Sequence, residues 1–197
     1  MDQQQKTILL IASRLLSYPE GVLDEQSLDE FIDMHMKSEE IKGELKVAYA
    51  PLVRLPLLLH KELYVETFDL RSKTGLYLTA HELGDSPKRG AALLRLKNML
   101  RRSGLDHIEG ELADYLPLLF EYLAVSEELE EHERLIRRIG TALKRIYDYI
   151  DDKSYAQLIQ LLIKYVFPTP SEEEMKRMAF EREEADLENM PYPIMYQ

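Results

Sequence analysis

Apolar residues recur along this chain at helical spacing, and no run alternates like a half-buried strand. Ile8, Ile11, Ala12, Leu15 and Leu16 mark one stripe within Lys6 to Ser17, which Pro19 and Gly21 stop. Ser27 and Glu30 read as a capping box opening a short helix through Met36, and a third helix runs from Glu39 to about Ala50. Pro51 and Pro56 punctuate the chain before a helix from near Pro56 to Phe68 and another over Ser72 to Leu83. In the loop "LGDSPKRG", residues 83 to 90, Gly84 ends one helix. Asp85 or Ser86 caps the next, and Pro87 takes its first turn. That helix carries Leu93, Leu96 and Leu100 and stops at Gly104. Leu112 to Val125 is apolar around most of its circumference, so it belongs deep in a core. Stripes at Leu135, Ile139, Leu143, Ile146 and Ile150, and over Tyr155 to Val166, complete the pattern. The expected class is all-α, a single helical bundle.

A chain of 197 residues suits one domain with a substantial core. The expected organisation is a helical domain over 1–168, then an acidic helix and extended tail over 169–197, opened by a second capping box at Ser171 and Glu174. The absence of cysteine excludes disulfides, thiolate metal sites and cysteine nucleophiles. The polar start lacks a signal-peptide pattern, and the most apolar stretches are too short to cross a bilayer, so a cytoplasmic protein without membrane insertion is expected. A net charge of −11 argues against nucleic-acid binding. The charge is uneven: residues 86–104 carry six basic side chains and no acid, whereas 106–133 carry ten acids and no Lys or Arg. Solvated faces or mutual pairing account for those blocks. A regulator using the basic helix on nucleic acid is the competing reading.

Catalytic motifs are missing. A phosphate loop needs a lysine after its second glycine, but here Lys88 precedes Gly90 and Ala91 follows it. The five histidines lie more than twenty residues apart, so no helical metal pair exists; His81-Glu82 starts one, but position 85 is Asp85. No G-x-S-x-G occurs. No catalytic residue, metal ligand or cofactor is assigned, and a metal-dependent helical enzyme remains the weaker alternative. Twelve tyrosines and eight methionines instead suit a protein that holds another molecule in a groove between helices, although most of them simply fill a core.

The stretch "YVETFDLRSKTGLYLTAHELGDSPKRGAALLRLKNML", Tyr64 to Leu100, resembles the delta-subunit assembly chaperones of respiratory nitrate reductase. Their pattern Y-V-E-T-F-D, then H-x-x-G-D-S-x-x-R-G, then A-L-L-x-L falls on Tyr64–Asp69, His81–Gly90 and Ala92–Leu96. A second block, P-D-Y-L-P-x-x-L-E-F-L, falls on Ala113 to Leu123, with Ala113 replacing proline and Tyr122 replacing phenylalanine. The resemblance covers about Lys6 to Val166. It implies an all-helical fold of the TorD-like class and a dedicated cytoplasmic chaperone with no catalysis of its own. Such a chaperone binds the N-terminal segment of the apo catalytic (alpha) subunit and supports molybdenum cofactor insertion before membrane docking. Other molybdoenzymes are the alternative clients, and the protein is expected as monomer or homodimer.

On that resemblance, an amphipathic helical peptide would place apolar anchors in an interhelical groove. The candidate groove residues are Tyr64, Phe68, Tyr77, Tyr115, Leu119 and Tyr122. Asp85, Asp114 and Glu121 are candidates to hold basic or amide groups, and Arg89 to hold a carboxylate or lock the loop. Phe68 and Leu119 also fit a purely core role, and Asp85 and Asp114 also fit capping. The tail "YPIMYQ" is a candidate to occupy the groove when no client is present.

Overall fold

A computed structural model describes residues 1–105, 111–126 and 129–168. Among them the chain forms helices α1 (Gln3–Leu16), α2 (Glu25–His35), α3 (Glu39–Val53), α4 (Leu57–Tyr64), α5 (Leu78–Leu83), α6 (Lys88–Arg102), α7 (Leu116–Val125), α8 (Leu129–Tyr149) and α9 (Lys153–Tyr165). A π-helical segment, Val65–Asp69, continues α4 directly. The all-α expectation holds. The expected helix and tail over 169–197, the autoinhibitory role of that tail, and His107 lie outside the described residues.

Burial follows the sequence stripes. α7 is the central element: Leu116, Leu118, Leu119, Phe120, Tyr122, Leu123 and Ala124 are all buried. It packs most extensively on α1, whose Ile8, Leu9, Ile11, Ala12, Leu15 and Leu16 face it and the surrounding core. α9 closes the other side against α3 and α8. Each fully buried leucine contributes on the order of 1.5–3 kcal/mol from leaving water, so α1 and α7 together anchor the bundle. α5 lies on α8, and α6 lies on α5, at the edge of the molecule. α6 buries only Leu96, Met99 and Leu100 and leaves Lys88, Arg95, Lys97, Arg101 and Arg102 outward, whereas Arg89 turns in toward α5.

Local chemistry explains the boundaries. Asp2 and Gln5 form a reciprocal capping box on α1. α2 starts earlier than the sequence indicates: Asp24, not Ser27, is its cap, accepting from the Ser27 N–H at 2.9 Å. α3 continues through Pro51 to Val53 rather than stopping at Ala50. Pro87, in helical conformation, takes the cap position of α6 in place of Asp85 or Ser86, and Ser86 Oγ accepts from the Lys88 N–H at 3.3 Å just before it. Gly84 ends α5 at φ +55° and Gly104 follows α6 at φ +74°, left-handed values that favour glycine.

Two expected helices are shorter than the pattern suggests. α5 begins at Leu78, not Ser72, and α7 at Leu116, not Leu112. The residues before them pair with each other instead. Tyr77 and Tyr115 form an isolated antiparallel bridge, with Leu78 N donating to Asp114 O at 2.9 Å and Leu116 N to Leu76 O at 2.8 Å. These tertiary bonds satisfy backbone groups that a further helical turn would otherwise have paired.

Candidate functional site

The first signature block builds one wall of a cleft. Tyr64 closes α4, and the next five residues widen into π geometry, with Leu70 N bonding back to Val65 O at 3.0 Å. Such widened turns are uncommon and recur at functional sites. Here the Thr67 carbonyl receives the buried Thr74 hydroxyl, which pins the following turn. Tyr64 and Phe68 are thereby held inward with rings 5.1 Å apart. Tyr18, just after α1, meets the Tyr64 ring edge-on at 5.4 Å, and Phe68 meets Tyr155 at 4.7 Å.

The opposite wall is the bridge itself. Tyr77 and Tyr115 stand side by side with ring centroids 5.5 Å apart. With Tyr18, Tyr64, Phe68 and Leu76 they line a cleft of about 250 Å³ whose polar lining is Asp69 and Glu111. That volume lies below the ~300–1,000 Å³ of pockets that enclose drug-sized ligands. It suits a single long side chain rather than a large organic cofactor.

Hydrogen bonds fix the rings. The Tyr115 hydroxyl donates to the Leu16 carbonyl at 3.2 Å, and a carbonyl can only accept. The single Tyr115 proton is thus committed, so Tyr64, 2.9 Å away, donates to the Tyr115 oxygen. Tyr77 donates to Glu111 at 3.1 Å. His60 Nε2 meets the Tyr155 hydroxyl at 3.1 Å behind this cluster. Desolvation raises Tyr64, Tyr77, Tyr115 and Tyr155 above the ordinary phenol value, with neighbouring charge adding to the shift at Tyr77. All four stay protonated, as donors and ring surfaces rather than phenolate nucleophiles. Desolvation also lowers His60 and raises the Asp69 carboxyl.

The second block supplies a lock beneath the cleft. Asp114 is fully buried; its Oδ2 accepts from the Thr79 N–H at 3.1 Å and from the Thr79 hydroxyl. Arg89, from the "GDSPKRG" loop, donates from Nε to Thr79 Oγ1 at 3.0 Å and brings Nη2 to 3.6 Å from Asp114. Asp114 and Arg89 therefore tie α5, α6 and the start of α7 together. Asp114 thus bonds the first turn of α5, and Arg89 reaches it from the start of α6. His81 Nε2 lies 2.6 Å from the Gly75 carbonyl, and Glu82 makes a two-pronged pair with Arg138 of α8 at 2.7 and 2.8 Å. The signature loop is a clamp between helices.

The ten candidates thus separate. Tyr64, Phe68, Tyr77 and Tyr115 come together in the cleft. Leu119 and Tyr122 do not line it; both are wholly buried in α7, Tyr122 against the His132 ring at 5.3 Å. A core position without exposed surface is the physical reason. Glu121 faces α1 and accepts from the Ser13 hydroxyl at 2.8 Å. Asp85 is exposed on the loop, away from the cleft lining. Tyr18, Leu76, Asp69 and Glu111 are added by the structure. Asp69 was within reach, as the last residue of the Y-V-E-T-F-D motif, and Leu76 stands beside Tyr77. Tyr18 and Glu111 carry no local signal, since only tertiary packing brings them there.

Among the described residues no group of three or more His, Asp or Glu is placed to hold a metal ion, and no helix is long and apolar enough to cross a membrane.

Comparison with known proteins agrees with the local pattern. A family model described as nitrate reductase delta subunit matches residues 27–157. The chain is 32% identical over 168 residues to a probable nitrate reductase molybdenum cofactor assembly chaperone of Bacillus subtilis, covering 77% of this chain and 83% of that protein. It is 33% identical over 162 residues to a nitrate reductase molybdenum cofactor assembly chaperone of Escherichia coli, covering 79% of this chain and 68% of that one. A second Escherichia coli protein, a probable chaperone of the same kind, is 30% identical over 129 residues, covering 66% of this chain and 54% of its own length.

Proposed function

The chain belongs to the nitrate reductase delta subunit family, and from that premise we propose that it is an assembly chaperone for a nitrate reductase. It binds the N-terminal segment of the apo catalytic subunit in the cytoplasm and keeps that subunit competent for molybdenum cofactor insertion before membrane docking. It performs no covalent step. The observation that carries this reading is the cleft itself: the family's Y-V-E-T-F-D block lines one wall, and Tyr115 of its D-Y-L-P block lines the other with Tyr77.

The geometry supports a peptide as the ligand. The cleft is aromatic, open and sized for a side chain, and its phenols are neutral donors. An apolar ledge leads away from it. Tyr18 is 42% exposed under Lys61 of α4, and Leu58, one turn earlier on the same helix, is 67% exposed. An amphipathic helix laid along α4 would cover that ledge and drop one side chain between Tyr64 and Tyr77.

Calorimetric titration with a synthetic peptide from the N-terminus of the same organism's nitrate reductase catalytic subunit tests this, with a scrambled peptide as control. Saturable binding with a negative heat-capacity change is expected, as for apolar burial. Absence of binding to the folded protein, together with binding of another molybdoenzyme's N-terminal peptide, would reassign the client.

A further inference from the structure

The polar lining of the cleft has one sign. Among the described residues its lining is the carboxylates of Asp69 and Glu111, five aromatics and one leucine, with no Lys or Arg. Aromatic faces carry negative potential, and an ionised carboxylate can only accept hydrogen bonds. An apolar anchor would satisfy the rings but leave both acids beside a dry surface, at a desolvation cost. A cation satisfies both features at once.

We propose that the cleft is a receptor for one cationic side chain, a guanidinium or an ammonium, of the bound peptide, held between the carboxylates of Asp69 and Glu111 and the rings of Tyr77 and Tyr115. This rests on the chaperone reading and names the chemistry of its anchor. The outer rim already shows the preference, since Lys61 Nζ lies over the Tyr18 ring at 5.5 Å. Glu111 is anchored for the task by the Tyr77 hydroxyl at 3.1 Å, which leaves its second oxygen for an incoming donor. Asp69 ends the π-helical segment, so the widened turn of the signature block sets its place at the cleft. Desolvation beside the rings raises the Asp69 carboxyl above its ordinary value.

The test uses the full chain and a fluorescent client peptide. A companion set replaces each peptide arginine by citrulline and each lysine by norleucine, one at a time. The protein variants are Glu111→Gln alone and Asp69→Asn with Glu111→Gln; both keep an oxygen acceptor, and circular dichroism checks their helicity. The double variant is expected to weaken the unmodified peptide about tenfold, the scale of one desolvated cation–π and carboxylate contact. One neutralised peptide should bind wild type and double variant alike. Equal affinity of both proteins for the unmodified peptide, or a loss of the same size with every neutralised peptide, overturns the inference. If the wild-type protein binds no client peptide, the chaperone–peptide reading fails separately. The cleft is then judged by N-acetyl-arginine amide against N-acetyl-citrulline amide. Shifts of the Tyr77 and Tyr115 ring resonances with the first alone, abolished in the double variant, sustain the cation site, and no such difference ends it.

Discussion

At the residue scale, the buried tyrosine relay decides more than any charge. Tyr115 bonds the Leu16 carbonyl and receives Tyr64, so it joins α1, α4 and the bridge through one hydroxyl. The two phenols are not equivalent. Tyr64→Phe removes one donor, and Tyr115 keeps its bond to Leu16. Tyr115→Phe leaves both the Leu16 carbonyl and the Tyr64 hydroxyl without that partner. Urea unfolding should therefore show about 1 kcal/mol lost for Tyr64→Phe and about 2–3 kcal/mol for Tyr115→Phe. Equal losses, or the reverse order, would mean that the direction assigned to these bonds is wrong. The sequence marks Tyr64 and Tyr115 as important through the motifs that contain them. It does not reveal that their hydroxyls meet, because they lie 51 positions apart.

At the scale of elements, "LGDSPKRG" is a joint between α5 and α6. Its two glycines do different work. Gly84 sits at φ +55°, so Gly84→Ala should cost about 1–2 kcal/mol even though nothing lies within 4 Å of the added methyl. Gly90 is inside α6 with equally open space and an ordinary φ, so Gly90→Ala should stabilise by about 0.5–1 kcal/mol. Thermal unfolding of the pair checks this, and a stabilising Gly84→Ala would contradict the assigned turn. Most helices were readable from periodicity because their burial is one-sided or, for α7, covers all but Glu121 and Val125. The misplaced starts of α5 and α7 share one cause. Residues 76–78 and 114–116 bond to each other across 35 or more positions, and a local pattern carries no trace of such a pairing. The cleft was half visible for the same reason: Tyr64, Phe68, Tyr77 and Tyr115 stand in motifs, whereas Tyr18 and Glu111 arrive only through packing.

At the scale of the whole molecule, desolvated imidazoles set the response to acid. Desolvation lowers His60 and is the largest influence lowering His81, whereas unfolding returns both to the ordinary value of 6.5. Below about pH 6.5 the unfolded chain takes up these protons before the folded one, so stability falls on acidification until the folded imidazoles also titrate. Asp69 works in the opposite sense, because its raised carboxyl takes up a proton in the fold before it does so in the unfolded chain. Carboxylates held low by partners, such as Glu25 beside Arg54 and Glu44 beside Lys164, add their own loss only as pH falls through the acid range below their ordinary 4.5. The urea midpoint should therefore drop between pH 7.5 and 5.5, and the drop should shrink in a His60→Gln, His81→Gln variant. A midpoint that rises over that interval would contradict the desolvated, neutral state of both rings.

The central claim is that a client peptide is held at the cleft formed by the two signature blocks. Hydrogen exchange with mass spectrometry, on the full chain with and without the catalytic-subunit peptide, tests it most directly. Backbone amides in 57–83 and 111–118 should slow on binding, while those of α2 and the first turns of α3 keep their rates. Protection confined to α2, α3 or the basic face of α6, with 57–83 unchanged, would place the client elsewhere and contradict the account.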